Sequence, residues 1–342
     1  MKKVFGILLI GALCLGAKDY KVGDTLSDRE GVEFFKNYAK RPVQQWPQKK
    51  LSIDDVPKGK DGELIRYGIA ILSNTEGVLG PKSKLKMTSN EVNCKACHME
   101  DDNGLPGTKK YVLPFINAIN NFPKLDIETM KIISLQDRIR GMGGTDSHRM
   151  PDDSREMRAI IAYFEWLKKA YGIKDGVRVE GTYLAEMQFP NRSANPVKGK
   201  DLYMQKCSLC HGEDGKGALN ENYAQGGGHM YPSLLIWPDG GHMAMIPVLA
   251  RFLRSAMPFG ASAEHPELTP SEAIDLAAYL NTGFLRMPMM STENRAGLDK
   301  AYSKSPSLKP EYFSSPQQQL DPQEYFKAKY GPWKNPNYFP GE

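Results

Sequence analysis

The most constraining feature of the sequence is a five-residue pattern, Cys-x-x-Cys-His, that occurs twice, at 94–98 and at 207–211. This pattern is the attachment signature of c-type haem. Its two thiols can reach the two vinyl groups on one porphyrin edge, and the adjacent histidine then directs a ring nitrogen at the iron. The sequence therefore predicts two covalently bound haems c, with thioether links at Cys94, Cys97, Cys207 and Cys210 and iron ligands at His98 and His211.

Other uses of the pattern fit the sequence less well. A zinc site needs four ligands, and the chain has only one cysteine outside the two motifs, Cys14. A thioredoxin-like redox pair needs no histidine after its second cysteine, least of all in two places. Covalent haem remains the interpretation that accounts for both copies of the pattern.

Residues 1–17 have the layout of a secretory signal peptide. Two lysines precede an apolar stretch over 4–15, and Leu15-Gly16-Ala17 forms an exit of small residues. We expect the leader to be removed, together with Cys14, and the mature protein to reside in the periplasm. An uncleaved N-terminal anchor is the alternative. No later apolar stretch approaches the roughly 18 residues that a membrane helix needs, so no integral membrane segment is expected in the mature chain.

Composition excludes further classes of protein. With 40% apolar and 25% charged residues, the chain is neither a fibre nor disordered as a whole. A net charge of +5 is too small to indicate nucleic-acid binding. Because haems carry electrons, the expected partners are other periplasmic redox proteins, such as cytochromes or components of a terminal oxidase or reductase.

Hydrophobic periodicity predicts an all-α protein with two class I cytochrome c-type haem domains. Apolar residues recur at helical spacing in six segments, which are 63–72, 127–139, 154–172, 199–207, 246–255 and 269–280. The expected organisation after the leader is an irregular N-terminal wrap over 18–62, a first cytochrome c domain over 63–173, a linker over 174–198, a second cytochrome c domain over 199–290 and a strap rich in proline and aromatic residues over 291–342.

The second axial ligand of each iron is expected to be a methionine, a common partner of histidine in electron-carrying cytochromes. In the second half, Met257 follows the motif histidine by 46 residues and precedes Tyr279 by 22. In the first half, Met142 follows the motif histidine by 44 residues and precedes Tyr163 by 21. The agreement of both intervals predicts Met142 and Met257 as the distal ligands.

The first haem has other candidate distal ligands. Met150 stands in a Met-Pro dipeptide like that of the second half, but its intervals are 52 and 13 residues, which leaves a short loop before the helix. His148, Met130 and Met99 are weaker alternatives. Two His/Met haems would be high-potential carriers, because the soft thioether favours ferrous iron.

Several segments, taken with the haem motifs, resemble the dihaem thiosulfate dehydrogenase/tetrathionate reductase (TsdA) family, whose first domain is similar to the SoxA cytochromes. The matching segments are Ile-Arg-Tyr-Gly at 65–68, Asn-Cys at 93–94, Asp-Arg-Ile-Arg-Gly at 137–141, Ala-Met-Pro-Phe-Gly at 256–260 and Tyr-Gly-Pro-Trp at 330–333. The resemblance covers nearly the whole mature chain. It implies two helical cytochrome c domains, oxidation of thiosulfate to tetrathionate at the first haem, and onward electron transfer through the second.

The sequence departs from the family at one chemically important position. The family pattern has a cysteine after the Arg-Ile-x-Gly stretch, as distal haem ligand and acceptor of the sulfur substrate, where this chain has Met142. A thioether has no proton to lose and both valences filled, so it cannot form the covalent sulfur adduct that a thiolate can. Arg138 is the candidate substrate-side residue, where it would attract anions, but a haem-propionate partner or a charge on the helix surface is the favoured interpretation.

This departure makes an electron carrier the expected function, with single electrons passing between redox partners through two His/Met haems. The alternative is a thiosulfate dehydrogenase or tetrathionate reductase that does not need the cysteine. A dihaem peroxidase also carries two attachment motifs, but it would need an iron site that peroxide can reach.

Overall fold

The computed structural model describes residues 20–89, 91–126, 129–222, 227–235, 243, 245–281 and 329–333. Within these residues the main chain forms ten α-helices, which are α1 Asp28–Ala39, α2 Lys60–Ser73, α3 Thr75–Leu79, α4 Ala118–Asn121, α5 Leu135–Gly143, α6 Arg155–Ala170, α7 Pro196–Lys206, α8 Ser208–His211, α9 Ile246–Ala256 and α10 Pro270–Asn281. The leader 1–17 and most of the strap 291–342 lie outside the described residues.

The described residues also hold three small sheets of two strands each. The pairs are β1 Val43–Gln44 with β4 Arg178–Val179 in parallel, β2 Lys124–Asp126 with β3 Lys131–Ile133 antiparallel, and β5 Ala218–Leu219 with β6 His229–Tyr231 antiparallel. No strand in the described ranges exceeds three residues, so the strands serve as local ties and the helices carry the fold.

The first hydrophobic core lies where α2 crosses α6. We call the segment from α2 to α6, with its haem motif, the first unit. The crossing is close because Gly68 of α2 faces the main chain of α6. A Cβ atom at Gly68 would lie 2.2 Å from the carbonyl oxygen of Ala159. Fully buried side chains of both helices fill the contact, among them Ile71, Met157, Tyr163 and Leu167.

The second core lies where α7 crosses α10, and we call the segment from α7 to α10 the second unit. Here a Cβ atom at Gly199 would lie 1.9 Å from the carbonyl oxygen of Asp275 and 2.9 Å from the Cβ of Tyr279. In both units, therefore, a helix glycine approaches a carbonyl four residues before a tyrosine. This shared geometry pairs Tyr163 with Tyr279, the two residues that the sequence intervals align.

The segment predicted as a linker, 174–198, packs on the N-terminal half at its start, through Val177 and Val179, and on the second unit at its end. The Arg192 guanidinium donates to both carboxylate oxygens of buried Asp275 at 2.7 and 2.8 Å, and the main-chain N–H of Asn195 donates to the same carboxylate at 2.7 Å. Asn195 also caps α7, since its side chain accepts from two N–H groups of the first turn. The second helical unit therefore starts at Pro196, three residues before the predicted start.

The described part of the strap lies against the same segment. The N–H of Ala194 donates to the carbonyl of Tyr330 at 2.7 Å, and the Ser193 hydroxyl donates to the carbonyl of Gly331 at 2.7 Å. The ring of Trp333 meets Phe189 edge-on, with centroids 5.8 Å apart. The remaining residues predicted for the strap lie outside the described ranges.

The structure corrects two predictions of secondary structure. The helix predicted over 127–139 is wrong in its first half, where β3 runs antiparallel to β2 and α5 begins only at Leu135. The Ser134 side chain fixes this start, because it accepts from the N–H of Asp137 and the Asp137 carboxylate accepts from the Ser134 N–H. The wrap over 18–62, expected to be irregular, contains α1, a three-turn helix with a capping box at Ser27.

Side chains from the loop after the first haem motif pack into the core of the second unit. Val112, in the loop after the first haem motif, is fully buried in the second core, and Met99 and Leu113 pack against that core. Beside them, the Lys109 ammonium donates to the carbonyl of Ala261 at 2.8 Å, just beyond Met257 in the chain. The loop over 99–113 thus packs on both units, because Leu105 within it is fully buried in the first core.

Candidate haem-binding sites

The first motif forms a tight turn. The N–H of Cys97 and the N–H of His98 both donate to the carbonyl of Cys94, at 3.2 and 2.9 Å. The Cys94 N–H donates to the Thr75 hydroxyl at 3.1 Å, and that hydroxyl lies 3.2 Å from the Cys94 sulfur. The start of α3 therefore fixes the first cysteine, and the turn places both thiols and the imidazole on one short segment.

The second motif repeats this turn. The N–H of Cys210 and the N–H of His211 both donate to the carbonyl of Cys207, at 3.2 and 3.0 Å. The motif follows α7 directly, and the Tyr203 hydroxyl of that helix donates to the carbonyl of Gly212 at 2.5 Å. The same peptide geometry thus occurs at both places where the sequence predicts haem attachment.

Each motif histidine is oriented by a carbonyl group. The Nδ1–H of His98 donates to the carbonyl of Leu113 at 2.5 Å, and the Nδ1–H of His211 donates to that of Pro232 at 2.9 Å. Because a carbonyl oxygen only accepts, Nδ1 carries the proton in both rings and Nε2 keeps a free lone pair. This arrangement fixes the tautomer and the ring orientation that an iron ligand needs.

Burial keeps both rings neutral. It lowers the pKa of the His98 imidazole to about 4, with a smaller lowering from the charge of Arg138. Burial also lowers the pKa of His211 below its ordinary value. A neutral imidazole is the form that binds a metal, so both histidines suit coordination at physiological pH.

None of the four motif cysteines is in a disulfide. Burial raises the pKa of the Cys94 thiol and raises that of Cys207 to about 11. Burial thus favours the protonated thiol in both residues. Among the described residues no cluster of histidine, cysteine and carboxylate side chains could hold a bare metal ion. Two cysteines beside an oriented neutral imidazole fit covalent haem c.

The two methionines predicted for the first haem lie in different environments. Met142 is half-buried in the last turn of α5, one turn after Arg138. Met150 is fully buried in the first core, and its carbonyl accepts from the buried Arg140 guanidinium at 3.2 Å. Arg138 lies within electrostatic reach of His98, so α5 runs close to the first motif. Met142 as distal ligand stays a prediction that this placement supports.

Met257, predicted for the second haem, ends α9 and lies partly buried against the second core. The exposed ring of Phe259 follows it, with 92% of its surface accessible. Of the minor candidates, His148 is exposed and Met99 packs on the second core. Met130 packs in a separate small cluster with α1.

Sequence reasoning missed the groups that support the motifs. Leu113 and Pro232 contribute only their carbonyls, and Thr75 contributes a hydroxyl from a different element. Each acceptor carbonyl lies at a proline in the sequence. Pro114 follows Leu113 and stands 16 residues after His98, and Pro232 is itself the acceptor and stands 21 residues after His211. That recurrence is the one signal in the sequence that points to these loops.

No helix among the described residues is both long and apolar enough to cross a bilayer. Comparison with known proteins adds the family. The Cytochrome c family matches residues 196–283, which enclose the second motif. The thiosulfate dehydrogenase of Stutzerimonas stutzeri is 30% identical over 70% of this chain and 71% of its own length. That of Psychrobacter arcticus is 28% identical over 66% of this chain and 64% of its own length.

The structure of the thiosulfate dehydrogenase (TsdBA) from Marichromatium purpuratum, in its "as isolated" form, is similar to this fold. Its TM-score is 0.56 at 26% sequence identity, covering 72% of this chain and half of that one. The matched part of the chain thus spans less than two thirds of the Psychrobacter and Marichromatium proteins.

The fold and the histidine–cysteine geometry define a haem c redox protein of the cytochrome class. Proteins of this class exchange electrons with other redox proteins. Within that class, the chain belongs to the thiosulfate dehydrogenase family.

Proposed function

We propose that the protein is a periplasmic dihaem cytochrome c that acts as a thiosulfate dehydrogenase. The observation that carries this proposal is the 30% identity, over 70% of the chain, to a protein named thiosulfate dehydrogenase. It favours the enzyme over the pure electron carrier that the sequence alone led us to expect. Residues 1–17 would direct export, and the two all-α haem domains would be the first and second units.

The reaction joins two thiosulfate ions through a new sulfur–sulfur bond to give tetrathionate and releases two electrons and no proton. When bound, each haem c would accept one electron at a time, so two haems match the two electrons released. Cys94 and Cys97 would tether one haem and Cys207 and Cys210 the other. His98 and His211 would present Nε2 to the irons, with Met142 and Met257 opposite.

The chain must also bring two dianions together. Repulsion between them in a site of low dielectric is large, so a cation beside the first motif is required. Arg138 meets this need, because its charge reaches His98 from α5 and its side chain is only partly buried. Its role would be to attract and hold the anions.

A second candidate function rests on Met142. A methionine sulfur cannot take up a sulfane sulfur as a thiolate can, so the first haem unit would lack that covalent step. The protein would then pass single electrons between redox partners and turn over no sulfur compound.

Tetrathionate formation distinguishes the two functions. The holoprotein is incubated with thiosulfate and a one-electron acceptor, and tetrathionate is measured beside acceptor reduction. The dehydrogenase predicts turnover, a rise in KM in Arg138→Ala, and little change in Arg149→Ala, an exposed arginine of the following loop. Absence of tetrathionate from wild type, together with a gain of turnover in Met142→Cys, would establish the electron carrier instead.

The distal ligand is tested by near-infrared spectra of the oxidised protein. Met142→Leu should abolish the methionine-ligand band of one haem. Met150→Leu, a change in the core that conserves volume, should leave it in place. The reverse pattern would assign Met150.

A further inference from the structure

A buried carboxylate–imidazole pair joins the two units. Glu76, in α3 of the first unit, and His229, in β6 of the second, have side chains only 5% and 8% exposed. The Nδ1 of His229 lies 2.9 Å from Glu76 Oε2, and the His229 main-chain N–H donates to the same oxygen at 3.1 Å. Two donors from one residue thus converge on one carboxylate oxygen across the boundary between the units.

The approach of the two segments is close at this point. Gly228 has a φ of +65°, and a Cβ atom there would lie 3.0 Å from Glu76 Oε2 and 3.1 Å from the Asn74 side-chain oxygen. Glu76 Oε1 is buried with no hydrogen-bond partner among the described residues. The two segments therefore pack closely enough at this contact that a side chain larger than that of glycine at position 228 would crowd the Glu76 carboxylate.

Each partner of the pair leads directly to a haem motif. On the first side, the Glu76 N–H donates to the Asn93 side chain at 2.9 Å, and Asn93 precedes the first cysteine. Thr75, the residue before Glu76, contacts the Cys94 amide and sulfur through its hydroxyl. The pair thus lies one residue from the group that positions the first haem attachment.

On the second side, β6 runs from His229 to Tyr231, and Pro232 follows. The carbonyl of Pro232 accepts from Nδ1 of His211, the predicted iron ligand of the second haem. A short chain of covalent and hydrogen bonds therefore runs from the first haem attachment through Glu76 and His229 to the second iron ligand.

We propose that Glu76 and His229 are positioning residues for electron transfer between the two haems. By holding α3 against β6, they fix the separation of the two motifs and supply a bonded route between them. This inference rests on the proposed two-haem function, and it concerns the step by which electrons leave the first haem. It does not depend on which sulfur compound, if any, donates them.

The test uses the oxidised holoprotein, reduced by a substoichiometric pulse of electrons from pulse radiolysis. The redistribution of the electron between the haems is followed optically. Glu76→Ala and His229→Ala should slow it severalfold, because the rate of electron transfer falls as the separation of the two haems grows. Glu76→Gln, which retains an oxygen acceptor for both His229 donors, should keep most of the wild-type rate.

Glu91→Ala is the matched control, because Glu91 stands three residues before Cys94 and pairs with Lys82 of the same unit at 3.5 Å. It should transfer electrons at the wild-type rate. Hydrogen exchange gives a readout independent of electron transfer: the His229 amide should lose protection in Glu76→Ala and retain it in Glu76→Gln.

A wild-type transfer rate in Glu76→Ala with both haems attached would overturn the inference. If that variant yields no folded holoprotein, His229→Ala decides in the same way. A wild-type protein with two haems and no tetrathionate formation would refute the proposed enzyme and leave this inference standing. Mass spectrometry showing a single haem would refute both.

Discussion

Gly199→Ala adds one methyl group at the point where α7 crosses α10. The new Cβ would lie 1.9 Å from the Asp275 carbonyl oxygen, about 1.5 Å short of ordinary contact. That oxygen belongs to the main chain of a helix, so it cannot turn aside as a side chain could. The two helices must therefore separate, and the second core loosens around them.

The size of the effect follows from two opposing contributions. Overpacking against main chain should cost about 3 kcal/mol, the upper part of the usual range. Alanine is a better helix former than glycine by about 1 kcal/mol. The net loss in free energy of unfolding is then about 2 kcal/mol, which corresponds to about 3 °C in Tm for a chain of this size that unfolds as one.

The assay is thermal unfolding of the holoprotein by circular dichroism at matched haem content. Gly141→Ala is the control, since a Cβ at that position in α5 meets nothing within 4 Å. It should melt at or slightly above the wild-type temperature. Gly68→Ala should lower the Tm as Gly199→Ala does, because its Cβ would meet the Ala159 carbonyl at 2.2 Å. A Gly199→Ala protein that melts with wild type would refute the account of the crossing.

Three further outcomes are expected. Cys207→Ser combined with Cys210→Ser should leave one haem per chain by mass spectrometry; two would show that attachment does not need the second motif. Met257→Leu should remove one methionine-ligand band from the near-infrared spectrum and lower the potential of that haem, because a soft ligand of ferrous iron is lost; an unchanged spectrum would exclude Met257. Glu272→Ala should cost about 1 kcal/mol at neutral pH, because the Thr269 N–H donates to this carboxylate and holds its pKa below the ordinary value. That stabilisation is lost as pH falls through the folded-state pKa, so the stabilities of variant and wild type should converge in acid.

The sequence predicted a helix well where all its local signals, the cap, the apolar stripe and the terminal glycine, were present. The helix opening at Ser154 has its cap, its apolar stripe and its terminal glycine in order, and α6 follows that prediction. The segment over 127–134 has an apolar pattern that fits a helix and a strand equally. Pairing with β2 decided for the strand, and pairing is a non-local property that periodicity cannot show.

Contacts between distant segments also limited the prediction of the haem-binding sites. The motifs predicted the thiols and imidazoles, because spacing alone carries that chemistry. The Leu113 and Pro232 carbonyls and the pairing of Glu76 with His229 depend on which loops meet in space. A carbonyl is present on every residue, so no residue type marks the one that orients an imidazole.

The burial of Val112 in the second core has a consequence for how such chains can be divided or recombined. A cut within 174–198 would separate the second unit from a side chain that fills its interior, although this is where the sequence suggests a boundary. Exchanging the C-terminal half for that of a relative would leave the second core without its matching Val112, and moving the loop over 99–113 as well would take Leu105 out of the first core. The two cytochrome units are therefore expected to be inherited, and to unfold, together.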